Sequence, residues 1–395
     1  MNMPISVRTK SNVLHQSVIV QFDYAVHFTE GLFDLQNPLF LEVLSDDRSR
    51  EAVNLIIVID GGLAQHQPNL IEQVITYCDR YSDQLNLKST PLVIAGGEAV
   101  KNDMNLVIQI QQLISDRGLC RHSYVVAIGG GAVLDLVGYA AATAHRGVRL
   151  VRVPTTVLAQ DDSGVGVKNS VNAFGKKNFL GTFTPPYAVI NDSNFLMALG
   201  QRDWIAGLAE AVKVALIKDR TFFELIESKI LALVDRDMNA MRSVIYQSCQ
   251  HHLQHIGTYG DPFEMGNSRP LDFGHWAAHR LEYLTNYRLR HGEAVAIGIA
   301  LDSTYAYFSG MLPQDDWVRI LNVLQGLGFT LWVPELSEYD QSKHERSVFR
   351  GLTEFREHLG GEFTIMLLMA IGNGVEVHQV NLKTYERTID YLEAL

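Results

Sequence analysis

The sequence predicts an α/β domain built on a doubly wound parallel sheet, followed by a domain that is mostly α-helical. Up to about residue 192, short apolar segments rich in β-branched residues alternate with segments of helical periodicity, which is typical of parallel strands joined by crossover helices. Beyond that point helical periodicity dominates. We therefore predict a Rossmann-like α/β domain over residues 1–192 and a mainly helical domain over residues 193–395, since a chain of 395 residues can form two hydrophobic cores.

Several predicted elements of the N-terminal half end in polar or glycine residues. Strands are predicted at 18–22, 54–60, 91–95, 124–128, 149–153 and 187–190, and helices at 69–82, 107–115 and 132–143. The strand at 54–60 ends in Asp60, and the strand at 91–95 is followed by two glycines and Glu98. Because ligands bind at the carboxyl ends of parallel strands, these residues are expected to line a cleft.

Three glycines, Gly129 to Gly131, separate a predicted strand from a predicted helix. Without a Cβ atom the backbone can approach a ligand closely, and the free N–H groups at a helix N-terminus attract a phosphate. Such a run is also typical of an ordinary turn, but here its context is informative. The next strand is followed by Thr155 and Thr156 and then by a segment dense in polar side chains: Asp161, Asp162, Ser163, Lys168, Asn169, Asn172, Lys176, Lys177 and Asn178. We interpret the region as a nucleotide-binding corner.

The C-terminal half is predicted to consist mainly of helices. They are expected at 204–218, 225–234, 238–255, 274–285, 292–309 and 314–326, with a hairpin of strands at 363–370 and 375–380. The residues between the two strands, Gly372-Asn373-Gly374, suit a tight turn. Two domains that face each other across a cleft are the simplest architecture consistent with these elements.

Histidines and a carboxylate in this half form a candidate metal site. Glu210 and Lys213 are three residues apart and so share a helix face, and Asp272, His275 and His279 follow in one segment, with His291 at the start of the next helix. One carboxylate and two imidazoles suit Zn²⁺ with a position left for substrate or water. The spacing allows either His275 with His279 or His275 with His291. A histidine is more often structural than metal-binding, so convergence with the nucleotide corner is what favours the metal site.

Composition and charge limit the partners of the chain. A net charge of −11 argues against a general nucleic-acid or anionic membrane surface, so an anionic ligand must meet a local cluster of cations. Three cysteines without metal-type spacing fit a reducing compartment. The N-terminal residues contain no apolar export segment, and no run approaches the roughly 18 apolar residues of a membrane span. A cytoplasmic protein without nucleic-acid or membrane partners is expected.

Five motifs carry a resemblance to a known family. They are GGGAVLDLVGYAAATAHRG, VPTTVLAQDDSGVGVKNSVN, GKKN, GLAEAVK and DFGHWAAH. The chain resembles the sugar phosphate cyclase superfamily, typified by 3-dehydroquinate synthase, from about residue 60 to residue 293. Within it, RPLDFGHWAAHRLE and EFREHLGG resemble the dehydroquinate-synthase-like proteins of bacterial ebo gene clusters. The resemblance implies a dehydroquinate synthase-like fold and an NAD⁺- and metal-dependent lyase that closes a sugar phosphate into a cyclohexane ring.

The resemblance also implies a role for each matching residue. The NAD contacts would be Asp60, Glu98, Lys101, Gly130, Gly131, Asp135, Thr155, Thr156, Asp162, Lys177 and Phe195. The metal, Zn²⁺ or Co²⁺, would be held by Glu210, His275 and His291. The substrate would be lined by Lys168, Asn178, Lys213, Asp272, His279 and Arg269, with Arg146 reaching its phosphate from the neighbouring subunit of a homodimer. The expected reaction is transient oxidation, phosphate elimination, hydride return and aldol closure, without net NADH.

Departures from the 3-dehydroquinate synthase pattern bear on the substrate. That family usually carries Asn in place of Asp272, Lys in place of Gln254, an arginine one residue earlier than Arg269 when counted from His275, and a Lys-Lys pair around residues 356–358. At about 4 Å, two like charges cost several kcal/mol when poorly solvated, so Asp272 would repel a substrate carboxylate. The sequence therefore favours a carboxylate-free sugar phosphate such as sedoheptulose 7-phosphate. The retained His279 distinguishes the chain from 2-epi-5-epi-valiolone synthases.

Three alternative functions follow from the same motifs. A true 3-dehydroquinate synthase would accept the acidic substrate. A metal-dependent polyol dehydrogenase of the glycerol type would share the fold, the glycine corner and the metal site, but it has no need for the cations Lys168, Lys177 and Lys213. A catalytically silent binding protein would be expected to have lost a metal ligand, and none is lost.

Overall fold

The computed structural model describes residues 8–10, 13–45, 52–174, 176–258, 263, 269–340, 344–358 and 363–395. The strands are β1 Arg8–Lys10, β2 Val13–His15, β3 Ala25–Thr29, β4 Val53–Asp60, β5 Leu85–Leu87, β6 Leu92–Ile94, β7 Tyr124–Gly129, β8 Arg149–Pro154, β9 Lys168–Ala173, β10 Lys176–Phe183, β11 Ala188–Asp192, β12 Tyr339–Asp340, β13 Glu345–Arg346, β14 Ile365–Ala370 and β15 Asn373–Val377. The α-helices are α1 Leu39–Leu44, α2 Gly61–His66, α3 Leu70–Arg80, α4 Met104–Asp116, α5 Gly131–Thr143, α6 Gln201–Ala206, α7 Leu208–Lys218, α8 Arg220–Ser228, α9 Ile230–Val234, α10 Met238–Thr258, α11 His275–Leu284, α12 His291–Phe308, α13 Gln314–Gly326, α14 Arg350–His358 and α15 Leu382–Glu393. Short 3₁₀ helices span Glu98–Asn102, Ser193–Ala198, Pro270–Asp272, Pro334–Leu336 and Ser347–Phe349, and a single π-helical turn spans Ala159–Ser163.

A parallel sheet forms the centre of the N-terminal half, as predicted. Its strand order is β3-β11-β8-β7-β4-β5, with β6 beside the carboxyl end of β4. The central strands β4 and β7 are buried along most or all of their length because helices cover both faces, which explains their nearly continuous apolar sequence. Separate apolar clusters lie on the two faces of the sheet.

The carboxyl ends of the central strands meet at one edge of the sheet. Asp60 at the end of β4 pairs with Ile94 in β6, and Gly129 at the end of β7 pairs with Pro154 in β8. The polar residues that follow these strands are thereby brought together, although more than ninety residues separate Asp60 from Pro154 in the sequence. The predicted ligand-binding edge of the sheet is therefore formed.

The strand predicted at 18–22 is wrong. This segment is extended but belongs to no strand, and its apolar side chains are exposed, with Ile19 at 90%. The edge strand of the sheet is instead β3, which pairs in parallel with β11. Period-two alternation indicates an extended backbone, but only pairing and burial make that backbone a sheet strand.

The polar segment after residue 156 is more ordered than a loop. It begins with the π-helical turn, and its second part is the antiparallel hairpin β9–β10. Val171 of β9 joins the apolar cluster under the sheet, and Leu180 of β10 packs against the same cluster. Sequence reasoning missed this hairpin because most of its side chains are polar and its apolar residues do not alternate regularly.

The helical half has its own apolar core, which extends back to Val157 and Leu196. The predicted helix at 204–218 is divided at Gly207 into α6 and α7, and the one predicted at 225–234 lies across α8 and α9. The late hairpin is confirmed as β14–β15, whereas α1, α14 and α15 were not predicted. The boundary between residues 192 and 193 stays a prediction. Among the described helices, none is both long and apolar enough to cross a membrane.

Candidate functional site

Three helices of the C-terminal half bring one carboxylate and two imidazoles together. Glu210 lies in the first turn of α7, His275 is the first residue of α11, and His291 is the first residue of α12. Glu210 Oε1 lies 3.2 Å from His291 Nε2 and 3.6 Å from His275 Nε2. Their three candidate ligand atoms lie within 4.8 Å of one another. This arrangement corresponds to the two-helix option among those that the spacing allowed.

The other ring nitrogen of each histidine has its own partner. His291 Nδ1 lies 3.1 Å from Glu282 Oε2, and His275 Nδ1 lies 3.1 Å from the carbonyl oxygen of Phe273. Each partner can accept a hydrogen bond from Nδ1, which leaves Nε2 of both rings facing Glu210 as the atom that would bind a metal. Partners of this kind fix the orientation of metal-binding imidazoles. Glu282 was missed from the sequence, although its position three residues after His279 places both on one face of α11.

The charges around Glu210 favour its ionised form. The side chain is 1% exposed, and this burial alone would raise its pKa, but Lys213 and His275 outweigh it and hold the pKa well below its usual value. Lys213 Nζ lies 2.5 Å from Glu210 and 3.2 Å from Asp162. Burial opposes the charged form of His291 as well and so would lower its pKa, but the carboxylates of Glu282 and Glu210 raise this pKa to about 9.

This donor set fits a divalent metal ion. The Nε2 atoms of two imidazoles and one carboxylate oxygen would leave a coordination position open, as in catalytic zinc sites. A second group, His279, Glu282 and His291, is similarly compact, but its carboxylate already contacts His291 through Nδ1, whereas Glu210 faces Nε2 of both histidines in the first group. The first group therefore fits the metal better. His279 stands beside it, with its ring centroid 5.3 Å from that of His275.

The glycine corner at the end of β7 packs closely against the loop that follows β8, and side chains at the glycines would disturb this contact. A Cβ atom at Gly131 would lie 2.6 Å from Ser163 Oγ, and one at Gly130 would lie 3.3 Å from Thr156 Cγ2. Thr155 N donates to the carbonyl of Gly129, which ties the threonine loop to the corner. The N-terminus of α5 has no side-chain cap, so its first N–H groups at the carboxyl edge of the sheet suit a phosphate.

Asp60 caps the helix that follows β4. Its Oδ1 accepts hydrogen bonds from the N–H groups of Gly62 at 2.7 Å and Leu63 at 3.3 Å. A Cβ atom at Gly96 would lie 2.5 Å from this carboxylate, so the glycine after β6 is required for the close approach. The carboxylate is thereby fixed at the carboxyl edge of the sheet, where the resemblance expects a cofactor contact.

Several predicted cofactor residues bind one another in the cleft. The buried Lys101 ammonium lies 2.6 Å from Asp135 Oδ2, 3.1 Å from Ser170 Oγ and in very close contact with Asn178 Oδ1. Asn178 stands at a φ of 55° beside the hairpin turn. The structure therefore brings Asn178, which was predicted to line the substrate, into the same cluster as Lys101 and Asp135. Ser170 was missed because nothing in its local sequence marks it.

Lys177 links the hairpin to the helical half. Its ammonium lies 2.9 Å from Glu282 Oε1 and 3.7 Å from Glu98 Oε1. Burial would lower the pKa of Lys177, but Glu282 and Glu98 raise it above its usual value. This lysine was predicted to contact the cofactor. In the structure its charge is instead balanced by two carboxylates, one of which also holds His291.

Asp162 and Asp272 connect this cluster to several cations. Asp162, on the π-helical turn, binds Lys213 and lies 3.0 Å from His252 Nδ1. Burial alone would raise the pKa of Asp272, but Lys168, His275, Arg269 and Lys213 lower it to about 2. The Asp272 carboxylate is therefore not an uncompensated charge, because cations surround it. His252 was missed from the sequence.

Two predicted residues do not join the site through their side chains. Phe195 packs in the core of the N-terminal half at 4% exposure, so its ring is not available to a cofactor. Arg146 is exposed in a turn after α5, with a φ of 62°, roughly 20 Å along that helix from the glycine corner. Gln254 and Glu357 are exposed. The last residues of EFREHLGG lie outside the described part of the chain.

Comparisons with known proteins identify relatives of both halves. The sequence models of the 3-dehydroquinate synthase N-terminal and C-terminal domains match residues 91–206 and 207–347. The 3-dehydroquinate synthase of Halorhodospira halophila is 35% identical over 327 residues, which cover 80% of this chain and 89% of that protein. The 3-dehydroquinate synthase of Nitrosospira multiformis is 38% identical over 265 residues, 66% of this chain and 71% of that protein.

Solved structures share the whole architecture. ValA, a 2-epi-5-epi-valiolone synthase from Streptomyces hygroscopicus subsp. jinggangensis with NAD⁺ and Zn²⁺ bound, superposes with a TM-score of 0.84 at 30% identity and covers 96% of this chain and 99% of its own. A 2-deoxy-scyllo-inosose synthase in complex with carbaglucose-6-phosphate, NAD⁺ and Co²⁺ gives a TM-score of 0.75 at 23% identity, covering 92% and 95% of the two chains. The second likeness establishes the fold alone.

Proposed function

The chain belongs to the 3-dehydroquinate synthase family, within the sugar phosphate cyclase superfamily, and from this premise we propose that it cyclises a carboxylate-free sugar phosphate with the help of NAD⁺ and a divalent metal. Enzymes of this kind are carbon–oxygen lyases. The observation that carries the proposal is the position of the Glu210–His275–His291 cluster beside the cations that surround Asp272. A metal site next to an anion-binding cluster suits a substrate that carries both hydroxyls and a phosphate.

Each part of the cleft has a role in this proposal. When bound, NAD⁺ supplies a transient hydride acceptor and the metal, Zn²⁺ or Co²⁺, acidifies a substrate hydroxyl, which together make the neighbouring C–H acidic enough for phosphate to leave. Glu210, His275 and His291 hold the metal, and the glycine corner and Asp60 hold the dinucleotide. Lys168, Lys213 and Arg269 position the anionic end of the substrate. His279, beside the metal ligands, is placed to exchange a proton with the reacting carbon chain.

The surroundings of Asp272 support a substrate without a carboxylate. Lys168, Arg269 and Lys213 already stabilise the charge of this acid, so they are less available to a substrate carboxylate. A hydroxyl can donate a hydrogen bond to Asp272, whereas a carboxylate cannot donate and would be repelled by it. The similarity to ValA, a 2-epi-5-epi-valiolone synthase, favours the same substrate class. The names of the curated relatives favour the alternative, a true 3-dehydroquinate synthase.

One experiment distinguishes these functions. The metal-loaded protein and NAD⁺ are incubated separately with sedoheptulose 7-phosphate and with 3-deoxy-arabino-heptulosonate 7-phosphate, while released phosphate and NADH are followed. We expect phosphate without accumulating NADH from the first substrate. Efficient conversion of the second would identify an ordinary 3-dehydroquinate synthase. NADH that accumulates in proportion to product would identify a polyol dehydrogenase. If neither these two substrates nor related sugar phosphates react, a binding protein would be favoured.

The variant Asp272→Asn provides the matched control. It keeps the shape of the side chain but removes its charge, which leaves the surrounding cations available to a substrate carboxylate. We expect the ratio of the two activities to shift towards 3-deoxy-arabino-heptulosonate 7-phosphate by about tenfold, the effect of one charged hydrogen bond. An unchanged ratio would show that Asp272 does not select the substrate.

The proposal extends to assembly and compartment. A homodimer would allow Arg146, which lies far from the glycine corner of its own chain, to reach the substrate phosphate of the neighbouring subunit. Free thiols at Cys78, Cys120 and Cys249 support a reducing, cytoplasmic compartment.

The similarity to the proteins of ebo gene clusters stays a prediction. An Arg146→Ala variant that retains full activity would contradict the proposal that Arg146 contributes to the substrate site of the neighbouring subunit.

A further inference from the structure

A buried carboxylate in the middle of α12 binds both neighbours of a metal ligand. Asp302 is fully buried, and its Oδ2 accepts a hydrogen bond from the Gly274 N–H at 3.2 Å. Its Oδ1 accepts one from Trp276 Nε1 at 3.0 Å. Gly274 and Trp276 stand immediately before and after His275. The carboxylate therefore holds the chain on each side of this ligand.

The same two helices are in direct backbone contact next to Asp302. Gly274 has a left-handed backbone with a φ of 76°, and a Cβ atom there would lie 2.7 Å from the Ile299 nitrogen. A Cβ atom at Gly298 would lie 2.1 Å from the Gly274 carbonyl oxygen. These glycines allow α11 to approach α12 but exert no attraction. The hydrogen bonds to Asp302 are directional, so they fix the position along α12 at which the first turn of α11 docks.

A third helix supports the Asp302 carboxylate. Tyr385 of α15 donates its hydroxyl to Asp302 Oδ1 at 2.8 Å, and its ring stacks on Tyr305 of α12 with a centroid distance of 4.1 Å. The Tyr305 hydroxyl in turn accepts a hydrogen bond from the Asn381 N–H just before α15. Asp302 thus accepts three hydrogen bonds, from Gly274, Trp276 and Tyr385, and no cation among the described residues offsets its charge.

We propose that Asp302 is a positioning residue that sets the distance between the metal ligands His275 and His291. His291 begins α12 and His275 begins α11, so their separation depends on how α11 docks on α12. Asp302 controls this docking through the two residues that flank His275. A carboxylate buried without a cation is costly, so a purely apolar contact between the helices would be the simpler choice if only stability were needed. The inference rests on the proposed function in that it assumes a metal at the Glu210 cluster.

Asp302→Asn tests the role with a minimal change. The amide can keep its oxygen towards Trp276 and Tyr385, but its NH₂ group then faces the Gly274 N–H, and two donors repel each other. We expect the dissociation constant for Zn²⁺, measured by competition with a chromophoric chelator, to rise about tenfold, as for other residues that orient metal ligands. The absorption bands of the Co²⁺-loaded protein should shift, since ligand geometry changes.

Tyr385→Phe is the matched control. It removes one hydrogen bond from the same carboxylate but leaves the contact with Gly274 intact. We expect a lower thermal midpoint with wild-type Zn²⁺ affinity. If Tyr385→Phe weakens Zn²⁺ binding as much as Asp302→Asn, or if Asp302→Asn binds Zn²⁺ like the wild type, Asp302 is only a core anchor and the inference is wrong.

Wild-type protein gives a test that does not depend on how the variants fold. Hydrogen exchange should show the Gly274 amide protected in both the metal-free and the metal-loaded protein, and rapid exchange at this amide would overturn the inference. The metal site that the proposed function assumes fails in a different way: if Glu210, His275 and His291 hold no metal, the wild type and His291→Ala bind Zn²⁺ equally weakly. Both proteins are therefore measured in the same chelator competition.

Discussion

The two regions proposed to bind the cofactor and the metal are built in opposite ways. The glycine corner is contiguous in sequence, with β7, the turn and α5 together spanning residues 124–143, and its binding groups belong to the backbone. The metal cluster takes one side chain from each of three helices, and each imidazole is held by a further group. The corner therefore depends on the absence of side chains, whereas the cluster depends on the presence of several. Substitutions should damage the first by adding atoms and the second by removing them.

The largest effect is expected from removing a metal ligand. His291→Ala should abolish bound zinc and reduce phosphate release by about 1,000-fold, since a metal contributes several kcal/mol to the stabilisation of the transition state. Metal content is measured by atomic absorption and folding by circular dichroism. His279→Ala is the control and should keep its metal while turnover falls. A His291→Ala protein with full metal content would refute the ligand assignment.

Adding a side chain to the corner should give the next largest effect. Gly130→Val places a branched side chain where even a Cβ atom would lie 3.3 Å from Thr156 Cγ2. We expect NAD⁺ affinity to fall about 100-fold through the loss of charged hydrogen bonds to the pyrophosphate, while Zn²⁺ affinity is unchanged. Calorimetry measures the affinities for NAD⁺ and for Zn²⁺. The NAD⁺ affinity of Gly130→Ala, which has a smaller side chain, should lie between those of the wild type and Gly130→Val. Normal NAD⁺ binding by Gly130→Val would show that the glycine corner does not bind the cofactor.

A smaller effect is expected where the cluster is supported rather than formed. Glu282→Gln keeps the size of the side chain but weakens its hold on His291 Nδ1 and removes the charge that balances Lys177. We expect Zn²⁺ affinity to fall roughly 10- to 100-fold. Chelator competition measures the change. Glu98→Gln, which removes the other carboxylate near Lys177 without touching His291, should leave Zn²⁺ affinity near that of the wild type.

The effect expected to be smallest per unit of the variable changed concerns pH. Burial raises the pKa of Asp302 from 3.8 to about 7, although hydrogen bonds from Trp276, Tyr385 and Gly274 oppose the shift. Between these values the folded protein keeps a proton that the unfolded chain has lost, so the contribution to stability falls as pH rises from about 4 to about 7. One such group changes the free energy of unfolding by at most about 1.4 kcal/mol per pH unit. Denaturant unfolding across this range should show a flatter profile for Asp302→Asn, and identical profiles would contradict the shift.

The parts of the fold that follow from local pattern were predicted well. Central strands and amphipathic helices have strong periodicity, and β4, β7, β8 and α13 lie close to their predicted ranges. Local pattern fails in two ways: it missed the hairpin β9–β10, and it predicted a strand at 18–22 that does not form. Whether an extended segment becomes a strand depends on which neighbour pairs with it, and no local pattern contains that information.

The sequence by itself determined the ligand types and the backbone corner. Glycines between a strand and a helix, and histidines with a carboxylate, have chemical properties that do not depend on the rest of the chain. Only the tertiary structure decided which histidines share Glu210, that Glu282 and Asp302 support them, and that cations surround Asp272. These contacts join residues separated by tens of positions, and they form because helices dock through shape and buried hydrogen bonds. Side-chain chemistry is local, whereas the geometry of a site assembled from several helices is a property of the packed molecule.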